Sequence, residues 1–159
     1  RGPATSLAGR ALTRYRIDTL DGLRSVLYRQ PVNNRDIADF CIDVVAAAQE
    51  GDPVALGIME YAGRELALAA CAAARALGMG AGKFPVALCG SVFKAGEVIT
   101  GPFEGELARL APGARVVQAS YPPVVGAVIL ALLRAGVACD EAIRRRLAES
   151  WKEVEKRHE

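Results

Sequence analysis

One histidine, four scattered cysteines and 6% aromatic residues in 159 positions leave little of the usual catalytic inventory. His158 stands at a chain end, where fraying is the rule, and is given no catalytic role. Cys41, Cys71, Cys89 and Cys139 lie far apart in apolar segments and form no Cys-x-x-Cys pair, so they read as reduced core residues rather than metal ligands or disulfide partners. The sequence has no Gly-x-Ser-x-Gly elbow and no His-Glu-x-x-His motif, which excludes the hydrolases built on them. An excess of one charge is lacking too. Twenty Lys+Arg against 18 Asp+Glu leave +2, with the charges read as interspersed, so neither nucleic acid nor an anionic membrane is expected as a partner. The longest uncharged stretch, Val116 to Leu133, contains Gln118, Ser120, Pro122 and Pro123 and is not a membrane span. The chain reads as soluble and cytoplasmic, and its start at Arg1-Gly2-Pro3, without Met or an apolar leader, reads as an excerpt from a longer parent.

What is present is apolar and helical. Hydrophobic residues make up 52% and charged residues 24%, ordinary for a globular domain able to bury about 70% of its unfolded surface. Alanine occupies 29 positions at helical spacing, which predicts thin, closely packed helices. Thr5 and Ser6 are expected to cap a helix to about Tyr15, and Asp18 or Thr19 a second through Leu23, Val26 and Leu27. Asn33-Asn34-Arg35-Asp36 starts a third, whose stripe of Ile37, Phe40, Cys41, Val44, Val45 and Ala48 ends at Gly51. Asp52-Pro53 is a cap followed by proline at the first helical position, opening the longest helix, to Leu77 before Gly78. Its second half, Leu66 to Ala74, is apolar on every face and is expected to be buried all round.

Beyond the glycine-rich connector, Pro85 to Cys89 reads as a strand covered on both faces, ending at Gly90-Ser91. A helical region interrupted by Gly96, Gly101 and Pro102 becomes regular from about Phe103 to Ala111. Ala114 to Ala119 reads as a second strand, Tyr121-Pro122-Pro123 as a turn, and Val124 to Arg134 as a helix stopped by Gly136. Strand, helix, strand, helix implies parallel pairing. Asp140 caps a last helix with Ile143, Leu147, Trp151 and Val154 on one face and balanced charge on the other.

Gly78-Met79-Gly80-Ala81-Gly82 has the wrong polarity for a phosphate loop, since it follows a helix and enters a strand, and it reads as a helix cap and connector. The remaining candidate is Leu88-Cys89-Gly90-Ser91-Val92-Phe93-Lys94, a small-residue turn at a strand's carboxyl end, where open α/β sheets place ligands. Gly90 lets a flat ligand approach the backbone, Ser91 offers a hydrogen bond, and Phe93 or Lys94 would border a nucleotide. Any side chain at Gly90 is expected to project into that approach or into the following helix.

The stretch Gly51-Asp-Pro-Val-Ala-Leu, Tyr61-Ala-Gly-Arg-Glu-Leu66 and Val86 to Lys94, with the later Pro122-Pro-Val-Val-Gly-Ala127, resembles the C-terminal half of N-acetylglucosamine kinases and of BadF/BadG/BcrA/BcrD-type ATPases. These belong to the sugar kinase, heat-shock protein and actin superfamily. The resemblance covers about Gly51 to Gly136; the Gly-Ser-Val-aromatic-Lys stretch is its most specific part. It implies a helix-rich α/β fold, part of a ribonuclease H-like ATPase lobe with two parallel strands. Residues 1–139 would form the nucleotide-binding lobe and residues 140–159 a charged amphipathic helix.

The resemblance makes Gly90-Ser91 the adenosine motif, with Val92, Phe93 and Lys94 alongside, and implies ATP with Mg²⁺ as cofactor. ATP or ADP would be a partner, with a sugar in the parent protein; a homodimer is a compatible assembly. The family's Asp-Gly-Gly and Gly-Thr-Gly-Ser phosphate loops and its base for the sugar hydroxyl have no counterpart here, so no catalytic or metal-binding residue is assigned and the chain is expected to be inactive alone. The scattered cysteines give no support to the iron–sulfur chemistry of some relatives. The alternative is a non-catalytic helical interaction module with an Ala-rich core.

Overall fold

The structure is a computed structural model describing residues 2–29, 34–79 and 82–157. Asn33, Gly80, Ala81 and His158, singled out above, lie outside the described residues. The described chain runs α1 (Leu7–Tyr15), α2 (Leu20–Arg29), α3 (Asn34–Gln49), α4 (Pro53–Ala76), β1 (Phe84–Leu88), a 3-10 helix (Ser91–Ala95), α5 (Glu97–Leu110), β2 (Ala114–Gln118), α6 (Pro123–Arg134) and α7 (Glu141–Lys156). The two strands pair in parallel, as the sequence order implies. At their starts the Phe84 N–H donates to the Gly113 carbonyl at 3.2 Å. No helix among the described residues is long and apolar enough to cross a membrane.

Two compact units divide the chain, residues 1–86 with 90–115 and residues 87–89 with 116–159. The first is built on α4. Its buried positions Ala55, Met59, Gly63, Ala67 and Cys71 recur every fourth residue, and so do Ile99, Phe103 and Leu107 on α5. Rows of this spacing are the ridges that interdigitate when two helices pack closely. Gly63 makes the approach tight: a Cβ there would stand 2.9 Å from the Ile99 carbonyl oxygen, 2.9 Å from Pro102 Cβ and 3.0 Å from the Phe103 nitrogen. The core continues through Leu7, Val44, Ala47, Ala48, Met59 and Ile99, with Phe40 and Phe93 packed against it. The small residues give the thin helices that the alanine content predicts.

Asp52 anchors this unit. It accepts from the Val54 and Ala55 N–H groups (3.0 and 3.1 Å), which caps α4, with Pro53 at the first helical position. The same carboxylate accepts from the Thr5 hydroxyl (3.0 Å), the Ser6 hydroxyl (2.9 Å) and the Ser6 N–H (2.6 Å). The Ser6 and Ala55 amides above all hold its pKa well below the ordinary carboxylate range. The Ser6 hydroxyl therefore does not cap α1 as expected; it turns to Asp52 instead. Ion pairs Arg10–Glu50 (2.5 Å) and Arg14–Asp43 fasten α1 to the end and middle of α3.

The second unit contains α6, begun by Pro123 and followed by Gly136 at φ +78°, and α7, capped by Asp140 accepting from the Ile143 N–H at 2.9 Å. α7 packs on α6. Its stripe of Ile143, Leu147 and Trp151 is half-buried rather than buried, and Val154 is exposed.

Four local expectations need correction. α4 is not buried all round between Leu66 and Ala74: only Ala67, Cys71 and Ala74 are buried, and Leu68 is 44% exposed, because neighbours cover one stripe only. β1 alternates, with Phe84 buried and Pro85 and Ala87 exposed, so it is not covered on both faces. Cys71 and Cys139 are buried, whereas Cys41 and Cys89 are exposed. Gly101-Pro102 does not interrupt α5, which starts at Glu97; Pro102 sits within it, its ring packed against Gly63, where the absence of a side chain leaves room for it.

Candidate functional site

β1 ends in a turn that only glycine makes easily. Gly90 has φ +111° and ψ 160°, a region closed to other residues without strain. Apart from its chain neighbours, no atom lies within 4 Å of where its Cβ would stand, so the space above the backbone is open and, of the two directions expected for a side chain there, the following helix is not the one met. The 3-10 helix Ser91–Ala95 then ends at Gly96, with φ +73° and its N–H donating to the Phe93 carbonyl at 3.2 Å. Gln49 Nε2 donates to the Ala95 carbonyl at 3.4 Å, fixing this turn to α3.

The five residues Gly90 to Lys94 separate into two roles. Phe93 faces inward, half-buried against the core, its ring edge-on to Phe103 with centroids 5.7 Å apart. It anchors the turn and leaves little of its own face for a ligand. Ser91, Val92 and Lys94 are exposed, and neither the Ser91 hydroxyl nor the Lys94 amine has a partner among the described residues. The arrangement offers an open glycine backbone, one free hydroxyl and one free cation around a fixed aromatic pivot. This chemistry suits binding and orienting a flat polar ligand; it supplies no base or nucleophile. Among the described residues no three His, Cys, Asp or Glu side chains converge as a metal site.

Two features escaped the sequence reading. The charges are not interspersed throughout: between Glu65 and Glu97, and again between Glu106 and Asp140, the chain has no acidic residue but carries Arg75, Lys83, Lys94, Arg109, Arg115 and Arg134. Both strands lie inside these acid-free stretches, with Lys83 just before the first strand and Arg115 within the second. Counting total charge hides this; counting it by segment reveals it. The second feature is a recess of about 420 Å³ lined by Lys83, Phe84, Pro85, Pro112, Gly113, Ala114 and Arg115. It lies where the strands begin, at the opposite end from Gly90. Concavity and expected chemistry therefore disagree about location, and for a nucleotide the carboxyl end is preferred, because parallel sheets bind ligands where their strands end.

No curated protein matches the chain. Residues 2–131 match the BadF/BadG/BcrA/BcrD ATPase family, which takes in α1 to α3 as well as the Gly51 to Lys94 stretch, ends within α6 and leaves α7 outside. With more than half its length matched and the strand, glycine turn and helix in the expected order, the chain belongs to the BadF/BadG/BcrA/BcrD ATPase family, a family of nucleotide-binding ATPases.

Proposed function

We propose that this chain is the nucleoside-binding C-terminal lobe of an ATP-dependent sugar kinase, of the N-acetylglucosamine kinase type, or of a related activating ATPase in a ribonuclease H-like architecture. The observation that carries the reading is Gly90: a backbone conformation reserved for glycine, at the carboxyl end of a parallel strand, with open space where a side chain would stand. Adenine and ribose would lie along Gly90-Ser91, with Val92 and Lys94 bordering them and Phe93 holding the turn in place. Residues 1–139 would form the lobe and residues 140–159 an appended helix, in a cytoplasmic protein able to form homodimers.

Bound ATP·Mg²⁺ supplies the phosphoryl group and charge neutralisation. The residues here would orient the nucleoside and contribute a cation at Lys94. Mg²⁺ ligands and the base for the sugar hydroxyl would come from outside this turn, since no carboxylate lies between Glu65 and Glu97. The two-stranded sheet supports a partial lobe: such a sheet is marginal alone, and its unpaired edges are templates for further strands. The lobe would thus set nucleotide affinity, and alone it would show no turnover. A second reading, a non-catalytic interaction module, draws on Tyr61, 67% exposed on α4 near the exposed Ile58 and Leu68.

Titration of a fluorescent ATP analogue into the full-length parent tests the first reading. Gly90→Ala should weaken binding roughly tenfold, and Ser91→Ala roughly fivefold, the worth of about one neutral hydrogen bond. A folded Gly90→Ala protein that binds like the parent sinks the adenosine assignment. Phosphorylation of amino sugars by the parent separates a kinase from an activating ATPase.

A further inference from the structure

The recess at the start of the strands has a construction of its own. In a parallel pair, the bond from the Phe84 N–H to the Gly113 carbonyl sets Phe84 opposite Ala114. Alternation then puts Lys83 and Pro85 on one face of β1 and Arg115 on the same face of β2. Exposure agrees: Phe84 is buried, while Lys83, Pro85 and Arg115 are exposed.

Two prolines and a close backbone approach shape the floor and walls of the recess. Pro85 and Pro112 have fixed backbones, and Gly113 lies so close to the preceding connector that a Cβ on it would stand 2.2 Å from the Gly82 carbonyl oxygen. Neither Lys83 nor Arg115 has an ion-pair or hydrogen-bond partner among the described residues. No acidic residue lines the recess. Two exposed cations beside a proline-walled hollow of about 420 Å³ offer charge to an anionic group and apolar surface to a flat body attached to it.

We propose that this recess is a second binding site, distinct from the nucleotide turn, for a small organic anion: a phosphate or carboxylate held by Lys83 and Arg115, with its flat apolar part against Pro85 and Pro112. The fork of the Arg115 guanidinium matches two oxygens of such a group, and Lys83 adds a point charge. The proposal does not depend on the reading of Gly90.

Phenyl phosphate, inorganic phosphate and phenol, titrated separately into the ¹⁵N-labelled chain and followed by NMR, test it. Phenyl phosphate should shift the amides of residues 83–86 and 113–115, with both other probes at least roughly tenfold weaker, since each presents only half of the recognised chemistry. Lys83→Gln and Arg115→Gln should each raise its Kd roughly tenfold, the loss of one charge-assisted hydrogen bond. Arg24→Gln, an exposed cation on α2, should leave it unchanged. Three results would overturn the proposal: inorganic phosphate binding as well as phenyl phosphate, which means diffuse charge attraction only; Kd values indifferent to Lys83 and Arg115; or phenyl phosphate displacing a bound fluorescent ATP analogue, which means one shared site.

Discussion

Gly63 and Gly90 belong to the same compact unit and serve opposite ends. At Gly63 the missing side chain is replaced by another helix's backbone, so the residue is a packing device and its neighbours are filled space. At Gly90 the missing side chain is replaced by nothing, and glycine is required by φ instead. The first lies inside an ordinary helix and signals burial. The second sits in a turn and signals access. A glycine's meaning therefore resides in what occupies the position of the absent Cβ, which sequence alone does not report.

The contrast breaks most visibly at the crossing. Gly63→Val should cost about 4 kcal/mol, above the usual overpacking range, because the new atoms strike backbone of α5 rather than a flexible side chain. Urea denaturation measures it; a loss under about 1 kcal/mol would mean that α4 and α5 slide apart freely. Phe93→Ala tests the pivot between the two regions and should cost about 3 kcal/mol, the low end for a phenylalanine truncation since the ring is only half-buried. It should also weaken nucleotide binding in the parent; unchanged stability would show that Phe93 does not anchor the turn.

Gly90→Ala should cost about 2 kcal/mol from backbone strain alone, with no steric contribution. If Gly90→Asn is as damaging as Gly90→Val, strain is the whole effect; if damage grows with side-chain size, the open space is not open.

Asp52→Asn should lower the thermal midpoint by a few degrees at neutral pH. Because the folded-state pKa of Asp52 is depressed, its contribution is complete above the ordinary aspartate range and is lost as pH falls through and below it. The gap in midpoint between the parent chain and Asp52→Asn should therefore shrink on acidification; a gap that widens would contradict the hydrogen-bonding assigned to this carboxylate. The smallest effect has the opposite sign. Gly57→Ala, in the same helix as Gly63 but with no atom within 4 Å, should stabilise by about 0.5 to 1 kcal/mol. A destabilised Gly57→Ala would erase the distinction between open and filled glycines.

Much of this was legible in the residues. The Asp52-Pro53 start, the glycine stops at Gly51 and Gly136 and the order of strands and helices follow from local chemistry, and structure and sequence agree there. The Gly90 to Lys94 turn was found as a turn, but its division into an inward Phe93 and outward Ser91 and Lys94 depends on α5 lying beneath it, a tertiary fact. The Gly101-Pro102 pair misled because local propensity argues for a break, whereas Gly63, 38 positions earlier, supplies the space that keeps the helix whole. Charge summed over the chain concealed the acid-free strands; the signal was present and needed only to be read by segment.

Asp52 imposes a direction in time. Its partners Val54 and Ala55 are two and three residues away, so α4 can secure its own start as soon as its first turn forms. Thr5 and Ser6 are 47 and 46 positions distant and reach the same carboxylate only after a long excursion of chain has closed, with its entropic cost. The N-terminal helix is therefore expected to dock after the start of α4 has formed, and to be released early on unfolding.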